Sequence, residues 1–177
     1  MFVVGRGTIS GMNTMLPLKQ FVCDTCHEII KSPDEGWLEW LDDKDPNSNR
    51  RKAHSFRICH HLLKSPLGGE NGCYVNSPEA NSSTIHLDQF LEDRMAHLLG
   101  CIDIGDYHDP DFHQPRVADL RQWTELVRRV TIPYYEEARL YWKKAMDDGY
   151  FDGANEIRIY TQDFLKTLVE EYAEDER

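Results

Sequence analysis

The sequence predicts an α+β protein, with a small antiparallel β unit followed by a mostly helical C-terminal part. Three observations predict it. The first half carries short apolar–polar alternations punctuated by Pro, Gly and Asn, as short strands do. The second half carries apolar residues at helical spacing. Four of the five cysteines and four of the eight histidines fall between residues 23 and 73.

In chain order, residues 1–18, with Met1, Met12, Met15 and three glycines, read as a flexible N-terminal extension. The β unit spans 19–76. Residues 19–23 alternate and enter a Cys-x-x-Cys turn at Cys23 and Cys26, and Ile29-Ile30 leave it. Asp34-Glu35-Gly36 is a turn signal, and Trp37 to Leu41 alternate as the next strand. Asp42 to Lys52, D-D-K-D-P-N-S-N-R-R-K, reads as a charged loop, and Phe56 to His61 as a third strand. Ser65 to Gly72 is loop and delivers Cys73-Tyr74-Val75 into a last short strand. Ser77 to Ser83 is a polar linker and the expected boundary.

The helical part spans 84–174. Thr84 can cap a helix whose apolar face is Leu87, Phe90, Leu91, Met95, Leu98 and Leu99, ended by Gly100. An acidic loop, C-I-D-I-G-D-Y-H-D-P-D-F-H, follows. Pro115 can start the next helix, striped by Val117, Leu120, Trp123, Leu126, Val127 and Val130, and Pro133 ends or kinks it. Tyr134 to Asp148 continues as helix, with Trp142 in the core and Tyr134 or Tyr135 as interface anchors. Ile157-Arg158-Ile159 is a short strand or a lead into the last helix. Thr161 caps that helix, which is faced by Phe164, Leu165, Leu168, Val169 and Tyr172.

The 177 residues suffice for one domain, or for a small module plus a helical one. A net charge of −11 disfavours nucleic acid as a partner. The densest basic run is Asn49-Arg50-Arg51-Lys52. An odd cysteine count argues against a secreted disulfide scaffold. The start, M-F-V-V-G-R-G-T-I-S-G-M, lacks a charged segment followed by a long apolar run. No stretch approaches the roughly 18–20 apolar residues of a membrane span. A reducing cytoplasm and no membrane contact are therefore expected.

The chemistry concentrates at the cysteines. A Cys-x-x-Cys turn puts two thiolates within reach of one ion, and thiolates and imidazoles suit zinc. The expected site is Cys23, Cys26, Cys73 and one of His60 or His61 around a structural Zn2+, which makes the β unit zinc-ribbon-like. Short strands of this kind depend on the ion for folding free energy. His54 and Cys59 are further candidates, and Cys59 can replace either the histidine or Cys73. Alternate strand residues face opposite ways, so Cys59 and His61 share one face while His60 takes the other. Only one face can meet the ion. A thioredoxin-like role needs a βαβ context, which is absent.

From Lys19 to about Gly100 the chain resembles small uncharacterised bacterial and phage proteins with F-x-C-D-x-C-G-E-x-I near the start and a later His-His, Ser-Pro and Cys-Tyr. Here these are Cys23, Cys26, His60-His61, Ser65-Pro66 and Cys73-Tyr74, with His27 where those proteins carry glycine. The resemblance implies zinc binding and no particular activity. A second resemblance rests on His60-His61, Gly68-Gly69, Asn76 or Asn81, and His86, which together are similar to an HNH nuclease. It implies His61 as general base, His60 and His86 as ligands of a divalent ion, and phosphodiester cleavage.

The acidic loop with Asp103, Asp106, His108, Asp109, Asp111 and His113 lacks EF-hand spacing and reads as solvated. No Walker loop, G-x-G-x-x-G or G-x-S-x-G occurs. The expected function is that of a structural-zinc protein-interaction or regulatory protein without catalysis, binding a protein partner or a second copy of itself. The alternative is an HNH-like metal-dependent nuclease using His60 and His61.

Overall fold

A computed structural model describes residues 15–45, 50–74, 82–109 and 113–175. Most of the expected extension (residues 1–14) lies outside them, as do Val75, Asn76, Asn81 and Asp111.

The α+β class is observed. A two-stranded hairpin pairs β1 (Phe21–Val22) with β2 (Ile29–Ile30) across the Cys turn. A three-stranded antiparallel sheet has the order β4-β3-β5, with β3 Gly36–Lys44, β4 Arg51–His60 and β5 Ser82–His86. Strands β3 and β4 run past the expected Trp37–Leu41 and Phe56–His61. The ladder continues through Asp42↔Ala53, Asp43↔Lys52 and Lys44↔Arg51, so half of the charged loop is strand. Charged side chains are tolerated there because these positions are half-buried or exposed, apart from Ala53. The register shifts between Glu39/Leu41, where β4 has one residue more than β3. Ser55 in this bulge takes φ +55°.

The third strand of the sheet differs from expectation. Cys73 and Tyr74 form no strand. Ser82–His86 pairs with β3 instead, from Trp37↔His86 to Leu41↔Ser82. Thr84 lies inside this strand, opposite Glu39, and caps no helix. Polar residues other than Ile85 are tolerated here because β5 is a half-buried edge strand with one side of its backbone unpaired in the sheet.

Six helices follow among the described residues: α1 Leu87–Glu92, α2 Arg94–Ile102, α3 Leu120–Thr131, α4 Tyr135–Ala138, α5 Trp142–Asp147 and α6 Gln162–Asp175. The expected helix 84–99 breaks at Asp93, which leaves helical dihedrals (φ −108°, ψ 29°). The second piece runs through Gly100. Helix α3 starts five residues after Pro115, where Asp119 accepts from the N–H groups of Arg121 and Gln122 at 2.8 and 3.2 Å. Val117 instead forms a parallel bridge to Ala53. The expected helix from Tyr134 is divided into α4 and α5, and Tyr134 itself is left-handed (φ +66°).

One core joins the sheet to α1–α3 through Phe21, Ile30, Leu38, Ile58, Leu87, Phe90, Trp123 and Val130. A second, aromatic-rich core gathers Tyr135, Ala138, Leu165, Leu168 and Tyr172, with Trp142 packed against it. Tyr135 is buried, and its hydroxyl donates to Glu125 at 2.5 Å, so it is not a surface anchor.

Candidate metal centre

Cys23 directly follows β1, and its turn is closed by the N–H of His27 donating to the Cys23 carbonyl at 3.0 Å. His27 sits at φ +64°, a conformation that favours glycine. The turn is docked on the outer edge of β4. Asp24 N–H donates to the Ile58 carbonyl (2.8 Å), and the Ile58 N–H donates to Asp24 Oδ2 (2.7 Å). Two residues further along β4, His60 therefore points at the thiols.

The donor atoms of Cys23, Cys26, His60 and Cys73 all lie within 4.8 Å of one another. His60 Nδ1 is 3.4 Å from Cys26 Sγ and 3.8 Å from Cys73 Sγ. The metal–ligand distances of a tetrahedral zinc site imply S–N edges of about 3.5 Å and S–S edges of about 3.8 Å. Three soft sulfurs and one imidazole at this spacing fit a zinc-type ion. Cys23 and Cys73 are fully buried and His60 nearly so.

The electrostatics of the cluster favour a cation. At Cys23, burial opposes the thiolate, but the backbone N–H groups of Cys26, Thr25 and His60 outweigh it and bring the thiol down to about 6. At Cys26, burial and the neighbouring thiols push the value up to about 12. A cation among the thiols would lower the cost of ionising Cys26 beside Cys23.

Other side chains hold Cys73 in place. The Thr25 hydroxyl donates to the Cys73 carbonyl at 2.6 Å, Arg57 donates to Thr25 Oγ1 and to the same carbonyl, and Ser65 Oγ lies 3.0 Å from Cys73 Sγ. Gly72 is left-handed (φ +52°), and a Cβ there would lie 2.7 Å from Ser65 Cβ. A side chain at this position would be strained and would collide with Ser65, which contacts Cys73.

The remaining candidates are placed elsewhere. His61 is outside the cluster because the pleat turns it away from His60. Its ring stacks on Trp37 at 5.2 Å, and its Nδ1 accepts from the Leu63 N–H at 3.2 Å. Cys59 takes the same face as His61 and packs against buried Glu39, 3.8 Å from its carboxylate, where burial raises its pKa. His54 pairs with Asp43 at 3.0 Å. His61 and His86 do approach, with ring centroids 5.5 Å apart, but as stacked rings. His60 faces the thiols, so the three histidines of the nuclease resemblance are not brought together. In the acidic loop, His113 pairs with Asp103 at 2.9 Å.

Sequence reasoning missed the second layer around the site. Arg129, buried at the end of α3, is bidentate to Glu136 (2.8 and 2.8 Å) and also donates to Asp24 Oδ2 (2.6 Å) and to the Val22 carbonyl (3.0 Å). Burial works against its charge, but Glu136 and Asp24 overcome it and hold the guanidinium firmly protonated. Nothing in the sequence singles out Arg129 or Glu136. The one available signal was an acid inside the Cys turn.

No family model matches this chain, and neither the comparison with curated proteins nor that with solved structures gave a match.

Proposed function

We propose that Cys23, Cys26, His60 and Cys73 hold a structural zinc ion in a zinc-ribbon-like unit, and that the protein acts by binding a protein partner rather than by catalysis. The observation that carries this reading is the four-donor cluster itself. Four protein ligands on a buried tetrahedron leave no position for a reactive water. The ion would fix the segment between two of its ligands, His60 and Cys73. That segment presents Leu62, Leu63 and Leu67 to solvent, with Leu63 85% exposed. Ordered apolar side chains of this kind suit a protein contact, with a partner or with a second copy of the chain. Reduced thiols fit a cytoplasmic setting. Among the described residues no helix is long and apolar enough to cross a membrane. A bacterial or phage setting rests on the sequence resemblance alone.

The test is metal content per chain by mass spectrometry, on protein purified without added metal, beside Cys23→Ser and Cys73→Ser. One zinc per chain, lost with the folded state in both variants, is expected. An absence of zinc, or an ion kept by both variants, overturns the staple. Plasmid DNA incubated with magnesium or manganese should stay intact. Cleavage abolished by His61→Ala but retained in Cys23→Ser would overturn the non-catalytic reading.

A further inference from the structure

A cavity of about 420 Å³ lies between the inner face of the β4-β3-β5 sheet and the α1–α3 helices, away from the cysteine cluster. Its walls are apolar: Leu38, Phe56, Phe90 and Trp123, with Trp40 beside them. Leu38, Phe90 and Trp123 are 2–5% exposed, so they form the floor. Arg51 and Arg116 also line the cavity and are exposed, so they stand at its mouth. Neither arginine forms an ion pair with a described residue. The one acid lining the space, Asp42, already accepts hydrogen bonds from Trp40 Nε1 (3.2 Å) and the Ser83 hydroxyl.

Two features set this space apart from an ordinary surface cleft. Its volume lies in the usual range of small-molecule sites. Its mouth is cationic although the chain carries a net charge of −11. An apolar floor with guanidinium groups above it matches a molecule with an apolar body and a carboxylate head, because guanidinium donors fit carboxylates in a planar, two-bond geometry.

We propose that this cavity is a binding site for an amphipathic monocarboxylate, with its apolar part among Leu38, Phe90 and Trp123 and its carboxylate on Arg51 and Arg116. This site is independent of the metal cluster, and its test does not depend on what the cluster binds. The bridge Ala53↔Val117 joins the strand that carries Arg51 to the segment that carries Arg116, and the Ala53 N–H donates to the Arg116 carbonyl at 2.6 Å, so both arginines reach the same cavity. Neither strand nor helix alone would form the site.

The experiment titrates the full-length, metal-replete protein with decanoate, decanol and decyltrimethylammonium, which share an apolar chain and differ in the head group. Trp40 and Trp123 fluorescence reports occupancy, and calorimetry gives the stoichiometry. Decanoate should bind saturably with one molecule per chain, at least tenfold tighter than decyltrimethylammonium. Arg51→Ala and Arg116→Ala should each weaken decanoate severalfold and leave decanol unchanged. Both residues are exposed, so these variants keep the fold, which far-ultraviolet circular dichroism verifies. Ala53→Leu, which fills the cavity from its β4 wall, should weaken decanoate and decanol alike. Non-saturable binding, equal affinity for the cationic analogue, or arginine variants that bind decanoate like the parent would each overturn the proposal.

Discussion

His27 carries the backbone cost of the metal turn. Its φ of +64° is left-handed, its side chain is exposed, and its N–H closes the turn on the Cys23 carbonyl. A Cβ in this region costs on the order of 1 kcal/mol. His27→Gly should therefore stabilise the metal-bound protein by about 1 kcal/mol, read as a higher urea midpoint, with little change in metal content. Glu137 shows the opposite kind of cost. It is 4% exposed, and its Oε1 accepts the Met15 N–H at 3.0 Å. Burial raises its pKa above the usual carboxylate value, and the Met15 hydrogen bond only partly offsets this. The folded pKa is above the unfolded one, so the ionised carboxylate destabilises the fold at neutral pH, and that cost vanishes as the group protonates. Glu137→Gln keeps an acceptor for Met15. It should raise stability near pH 7, by an advantage that shrinks as the pH falls towards the ordinary glutamate value of about 4.3, in urea unfolding at several pH values.

At the scale of elements, the β3–β4 hairpin does the positioning. Its pleat sends Leu38, Ile58 and His60 to one side and Trp37, Glu39, Cys59 and His61 to the other. The first side meets the helices and the Cys turn, which occupies the otherwise open edge of β4. The hairpin was legible in sequence at its apolar ends and illegible in its charged middle, because the ladder needs only backbone groups and tolerates exposed charges. Strand β5 was illegible for a related reason. Four of its five residues are polar, with Ile85 the exception, and only the pairing with β3 makes them a strand. The helices were legible as apolar stripes but not as continuous units. Asp93 breaks the first by its dihedrals, and the left-handed Tyr134 begins α4 afresh, which propensity and spacing do not reveal.

Over the whole molecule, Arg129 is the residue that ties the parts together. It reaches from the end of α3 to the carbonyl of β1, the acid inside the Cys turn, and Glu136 of α4. Glu136 in turn accepts the Val22 N–H at 2.9 Å. The turn that carries two of the candidate metal ligands is thus bonded to the elements that join the two cores. Arg129→Met should cost on the order of 3 kcal/mol or more, because it leaves Glu136 buried with only partial compensation from Arg139. The checks are the urea midpoint of the metal-loaded protein and the rate of zinc transfer to a chromophoric chelator, which should rise as Asp24 loses its contact with Arg129. A variant that unfolds like the parent but releases zinc faster would place the effect of Arg129 in the turn alone.

The sequence by itself determined the α+β division, the Cys-x-x-Cys turn, and much of the apolar helix faces, although Met95, Leu99 and Leu120, expected on those faces, are exposed. Each is a local pattern, written in residues a few positions apart. Tertiary structure alone decided that His60 rather than His61 joins the thiols, because that depends on which face of β4 meets the turn. It alone decided that Arg129 is buried, since a guanidinium can leave water only where distant carboxylates and carbonyls converge on it. It alone decided that Arg51 and Arg116 share the mouth of one cavity, 65 residues apart in the chain and joined through a single bridge at Ala53↔Val117.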